Sequence, residues 1–236
     1  MTSEQPNARR EIRTLTGPFE AYVLPRMAAA LPRRVTPDHL TLLGMVAAVL
    51  IVAGYCLTNL SPWWMVLANA GLVAHWWADS LDGTLARVRR IERERYGYFV
   101  DHICDALSAL LICTGLGLSP YMDFRVAQLL VVGYLMMNIY VHVATYAEGR
   151  FKLSYGRFGP TEVRLALFAV NVVVPFWNPP VHTLLGVPLR ALDLAGLAVT
   201  GILLAVFLVC SMRDARELDR RDRAARVGGG PDGGRS

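Results

Sequence analysis

Four carboxylates occupy one short stretch of the 236-residue chain: Asp79 and Asp82, then Asp101 and Asp105. Gly83, Ala86 and Arg87 follow the first pair, and Gly97 precedes the second. If both arms are helical, spacings of three and four put Asp79, Asp82, Gly83, Ala86 and Arg87 on one face, and Gly97, Asp101 and Asp105 on another. Four acids converging in a low-dielectric setting repel one another unless a cation sits among them. Only carboxylate oxygens are offered, with no Cys or His at zinc spacing, so the expected cation is hard: Mg²⁺, Mn²⁺ or Ca²⁺. Four ligands suffice for two ions, and paired ions clamp a phosphoryl group under attack. The chemistry that fits is transfer at a diphosphate, with Arg87 able to fork onto phosphate oxygens. Gly83 and Gly97 leave their helix surfaces bare for close approach, and Gly97 reads as a helix-contact residue.

The elements that must position these acids are apolar helices. Hydrophobic residues make up 54% of the chain and the mean hydropathy is +0.36, which points to a membrane protein. Spans are expected from Pro37 to about Leu60, from Trp63 through the first Asp pair, and from Gly97 to Leu118. Further spans are expected at Phe124–Glu148, Pro160–Trp177 and Leu189–Met212. Each is near the ~20 residues that a bilayer requires. Thr36 is a plausible cap for the first, with Pro37 in its first turn. Trp63, Trp64, Tyr121 and Trp177 fall at span ends, where aromatic side chains favour the interface. The segment from Gly17 to Pro32 is too short to span and suits a helix lying on the membrane surface. The expected fold is therefore all-α: a polytopic integral membrane protein with six transmembrane helices and an N-terminal amphipathic interfacial helix. Residues 1–36 form the tail and interfacial helix, 37–212 the six-helix domain, and 213–236 a charged, Gly-rich tail with a short helix.

Charge sets the orientation. Arg9, Arg10, Arg13, Arg26, Arg33 and Arg34 precede the first span, five arginines lie between Arg87 and Arg95, and seven more lie in the tail. The opposite side holds Arg125 and Arg190. The positive-inside rule puts both termini and the acidic cluster in the cytoplasm. Clustered in this way, the net charge of +5 speaks for topology and anionic lipid, with no nucleic-acid partner expected. Cys56, Cys104, Cys113 and Cys210 lie in apolar runs without CxxC spacing and read as packing residues. No cleaved signal peptide is indicated at the start.

Read as D-x2-D-G-x2-A-R-x9-G-x3-D-x3-D, the stretch from Asp79 to Asp105 resembles the signature of the CDP-alcohol phosphotransferases, membrane enzymes that make phospholipids by displacing CMP. Eight positions match at fixed spacing, which is far more specific than a pair of acids. The resemblance implies that Asp79, Asp82 and Asp101 hold two Mg²⁺ or Mn²⁺ ions, with Asp105 assisting and also acting as general base. It further implies that Asp79, Gly83, Ala86 and Arg87 bind the CDP moiety. The strings DHICDALS, HVATYAEG and RFGPTEVR look similar to the branch that joins a CDP-aminoalcohol to diacylglycerol, although Tyr98 stands where that branch is typically acidic. The other branch joins CDP-diacylglycerol to a polar alcohol, and for a phosphorylated acceptor Arg157 and Arg164 could serve. His102 and His142 read as structural or supporting groups. The family is often dimeric, and Gly44, Ala47, Ala48 and Gly54 could support a homodimer.

Three other readings compete. A purely structural hairpin would use Arg89, Arg90, Arg93 and Arg95 as counter-charges to the acids. A membrane prenyltransferase needs a second Asp-rich motif, and after Asp105 the chain has only Asp123, Asp193 and tail acids. A transporter or scaffold would place its acids near midspan and show paired halves, rather than set them beside an arginine-rich loop.

Overall fold

The computed structural model describes residues 16–148, 160–177, 182–184 and 187–228. Seven helices dominate: α1 (Gly17–Ala30), α2 (Pro37–Leu57), α3 (Met65–Arg89), α4 (Glu94–Leu118), α5 (Phe124–Glu148), α6 (Pro160–Val173) and α7 (Ala191–Gly228). Short 3-10 turns cover Pro62–Trp64 and Val174–Phe176. An unexpected antiparallel hairpin, β1 (His182–Leu184) and β2 (Val187–Leu189), pairs His182 with Leu189 just before α7.

The six helices α2 to α7 occupy the stretch read as six spans, but α2, α4, α5 and α7 alone among the described residues are long and apolar enough to cross a membrane. α3 has the length, yet Asn69, His75, Asp79 and Asp82 make it polar along one side. α6 has only 14 residues, roughly 21 Å at 1.5 Å per residue, against a hydrocarbon core of about 30 Å. The chain is thus an integral membrane protein with four clear spans. Exposed Leu42, Val46, Val49 and Leu50 form an apolar surface on α2 that suits lipid.

α2 starts as its sequence suggests. The Thr36 hydroxyl accepts from the His39 N–H while His39 Nδ1 accepts from the Thr36 N–H, each at 3.3 Å, and Pro37 occupies the first turn. α2 then packs closely on α3, because Gly54 lies against the Ala68 backbone and Gly71 against Ile51 and the Ala47 carbonyl. Gly115 brings α4 onto Val52 in the same way. The core that results contains Ile51, Tyr55, Ala68, Leu72, Leu116 and Val126. Within it Tyr55 Oη, Asn171 and Asn69 exchange hydrogen bonds of 2.9–3.1 Å, tying α6 to α2 and α3 and satisfying polar atoms that water cannot reach.

α1 matches the expected N-terminal helix in extent and packs on α3 through Leu24 and Ala28, which meet Leu40, Leu81 and Leu85. Arg89 donates to the carbonyls of Leu31, Pro32, Arg33 and Val35, fastening the α1–α2 connection to the end of α3. At the opposite end Asp193 accepts from the Asp123 N–H at 2.6 Å and the Arg190 N–H at 2.7 Å, joining the α4–α5 turn to the start of α7. Nothing in the sequence pattern singled out that carboxylate. α7 does not stop near Met212 but continues unbroken to Gly228. Glu217 pairs with Arg220 and Arg221, and Asp219 with Arg223, at helical spacing that supports the extension.

Candidate active site

The two acidic arms are both helical, and the connection between them is shorter than the nine residues between Arg87 and Gly97 suggested. α3 runs on to Arg89 and α4 begins at Glu94, leaving Arg90–Arg93 as the turn. Arg90 takes the left-handed conformation at φ 56°, and the Ile91 N–H reaches back to the Ala86 carbonyl at 3.0 Å, a tight helix ending of the kind glycine usually provides. α2 packs against both α3 and α4, which hardly touch one another among the described residues, so a cleft opens between the acidic faces.

In that cleft Asp79, Asp101 and Asp105 each offer an oxygen, and the three atoms lie within 4.8 Å of one another. Asp82 lines the same small cavity, of about 10 Å³, but is turned toward other partners. Its Oδ2 accepts from the Thr41 hydroxyl at 2.8 Å and its Oδ1 from the Gly83 N–H at 2.6 Å. α6, which packs on α3, brings in Arg164. Its guanidinium stands 2.9 Å from Asp79 Oδ2 and 3.9 Å from Asp105 Oδ1. Carboxylates brought this close repel one another, and a cation among them relieves that repulsion. The donor set is all oxygen and suits a hard ion. These residues fit a divalent metal.

The other expected site residues are more dispersed. Arg87 donates from Nη2 to Thr84 Oγ1 at 3.0 Å, and Gly83 leaves room for its guanidinium: a Cβ there would stand 3.4 Å from Arg87 Nη1. Ala86 is one turn beyond Asp82 on α3. Gly97 is not a helix contact, since a Cβ there would meet nothing within 4 Å among the described residues. Arg157 lies outside the described residues. His102 and His142 cluster with Tyr98: Tyr98 Oη and His142 Nδ1 are 2.9 Å apart, and His102 Nδ1 donates to the Tyr98 carbonyl at 2.7 Å. Six residues that line the cavity lie outside the motif: Thr41, Gly44, Met45, His75, Cys104 and Ser108. Thr41 comes from α2 and had no signal in the spacing, whereas His75 sits one turn before Asp79 and Ser108 one turn after Asp105, at helical spacing from the motif acids.

A family model for CDP-alcohol phosphatidyltransferase matches residues 34–212. The chain belongs to the CDP-alcohol phosphatidyltransferase family. No curated protein matches the chain. Membership makes it a transferase of phospholipid head groups, in a family that uses divalent metals. The match takes in α2 to α6 and α7 as far as Met212, and therefore every residue of the acidic cleft.

Proposed function

We propose that the protein transfers a substituted phosphate group from a CDP-alcohol to an acceptor alcohol and releases CMP, with CDP-diacylglycerol as donor and a phosphorylated polar alcohol as acceptor. The observation that carries this reading is the convergence of Asp79, Asp101 and Asp105 within 4.8 Å beside Arg164, all on helices of the family match. Asp79, Asp82, Asp101 and Asp105 would hold two Mg²⁺ or Mn²⁺ ions, which when bound offset charge on the diphosphate. Asp105 would accept the proton of the attacking hydroxyl, since it lies one helical turn beyond Asp101 and faces the cleft. Asp79, Gly83, Ala86 and Arg87 form the side of α3 that would receive the CDP moiety, with Arg87 giving a forked contact to phosphate.

Arg164 favours a phosphorylated acceptor, because its guanidinium enters the centre itself and could give up Asp105, at 3.9 Å, for a phosphate oxygen. Arg157 would assist. Tyr98, where the aminoalcohol branch is typically acidic, also speaks for CDP-diacylglycerol as donor. Transfer from a CDP-aminoalcohol to diacylglycerol is the alternative outcome. Both termini and the cleft would face the cytoplasm, with α3 and α6 completing six spans and α1 lying at the membrane surface.

The test is a panel of CDP-alcohols and acceptors presented to purified protein with Mg²⁺ or Mn²⁺, reading CMP release and the lipid formed. CDP-diacylglycerol with a phosphorylated alcohol should release CMP, excess EDTA should abolish release, and Arg164→Ala should raise the KM for that acceptor. Turnover in EDTA equal to that with metal would overturn the metal reading; release only with a CDP-aminoalcohol would overturn the donor assignment.

A further inference from the structure

A second polar tier lies beneath the acidic one. α3 runs toward the Arg90–Arg93 turn and α4 runs away from it. His75, four residues before Asp79, and Ser108, three after Asp105, therefore each lie about one helical turn farther from that turn than the carboxylates. Both are only 3% exposed, and both line the cavity that the carboxylates line. His75 Nδ1 has no hydrogen-bond partner among the described residues. The Ser108 hydroxyl donates to Met45 Sδ at 3.6 Å, a weak acceptor. A buried polar atom without a partner is rare enough to require an explanation. At about 10 Å³ the cavity is close to the space one water takes, and its lining supplies the two to four polar partners that a buried water uses.

We propose that His75 and Ser108 are positioning residues: they hold one buried water at the inner end of the cavity, and that water fixes the carboxylate of Asp79 or Asp105 for a divalent cation. Nδ1 of the neutral imidazole takes one hydrogen of the water and a carboxylate oxygen takes the other. The Ser108 hydroxyl turns from sulfur to the water oxygen. His75 acts through the water and not as a ligand, since the set of atoms in mutual reach comprises Asp79, Asp101 and Asp105 without it. Partners that orient metal-binding side chains contribute strongly to affinity although they never touch the ion. The inference rests on the reading of these carboxylates as a metal site.

Mn²⁺ titration followed by electron paramagnetic resonance, on the full chain in detergent without substrate, tests it. His75→Phe should weaken Mn²⁺ binding roughly 10- to 100-fold, the range for orienting partners, with the melting temperature of the metal-free protein nearly unchanged. His75→Gln, whose amide can still reach the water, should recover most of the affinity, and Ser108→Ala should lose part of it. Pulsed spectra of bound Mn²⁺ should show no nitrogen coupling of the strength direct ligation gives. Unaltered Mn²⁺ affinity in folded His75→Phe overturns the proposal, as does strong nitrogen coupling in the wild type. If His75→Phe does not fold, wild-type affinity in Ser108→Ala overturns it instead. Absence of Mn²⁺ binding by the wild type overturns the metal reading, and this inference with it.

Discussion

Arg164 meets Asp79 at 2.9 Å and Asp105 at 3.9 Å, so the two carboxylates share one counter-charge unequally. Asp79 is the more tightly organised, and Asp105 keeps more freedom to take a proton. Asp105→Asn should accordingly retain much of the Mn²⁺ affinity while turnover falls roughly 10²- to 10⁴-fold, the usual contribution of proton transfer. Asp79→Asn should weaken Mn²⁺ binding itself. Metal titration beside CMP release separates the two, and equal loss of affinity in both variants would make Asp105 chiefly a ligand. That Asp79 and Asp82 share one face and Asp101 and Asp105 another was legible in the sequence, because spacings of three and four fix a helical face; that the two faces meet depends on α2, which packs against both α3 and α4. The partner of Asp82 was not legible: Thr41 lies 41 positions away on α2, and only the packing of α2 on α3 brings its hydroxyl within 2.8 Å. Arg164 was readable as a phosphate candidate but not as an occupant of the acidic centre, since that depends on how α6 leans on α3.

Helix lengths were readable to within a turn where apolar runs end sharply, as at Pro37 and Leu118, and misread where charged residues continue a helix. Arg and Glu are good helix formers, so α3 runs on to Arg89, α4 starts at Glu94, and α7 passes through the charged tail. The cost falls on Arg90, a side chain in the left-handed region that disfavours residues with a Cβ. Arg90→Gly should raise stability by roughly 0.5–1 kcal/mol, the net of relieved strain and lost chain entropy. Arg90→Val should lower it, and melting in detergent reads both. The α2–α3 contact is less forgiving. A Cβ on Gly54 would stand 2.4 Å from the Ala68 nitrogen, an atom that cannot turn aside. Gly54→Val should cost about 1–3 kcal/mol as overpacking. Because α2 carries Thr41, the same variant should lose activity beyond what its melting temperature explains.

Across the whole molecule, basic residues gather at one end of the helices. Arg33 and Arg34 precede α2, Arg89, Arg90 and Arg93 surround the α3–α4 turn, and Arg213 to Arg223 extend α7 on the side where its span ends. At the other end Arg125 is paired to Asp123 at 3.0 Å, and Trp63 packs edge-on against Phe176 with ring centroids 5.8 Å apart, as interfacial aromatics do. Loops rich in arginine stay in the cytoplasm, so the cleft between α3 and α4 should open where water-soluble acceptors are made. Glu92 is exposed in the α3–α4 turn, and Trp63 is 70% exposed at the far end. In a background with Cys56, Cys104, Cys113 and Cys210 replaced, a membrane-impermeant maleimide should label Trp63→Cys in intact cells. Glu92→Cys should react only after permeabilisation. Trp63→Cys serves as the internal control, because a leaky membrane would label both positions and an inverted protein would exchange them. Labelling of Glu92→Cys alone from outside would put the acidic cleft on the external face, and the arginine-rich turn would then not anchor the catalytic end of the molecule in the cytoplasm.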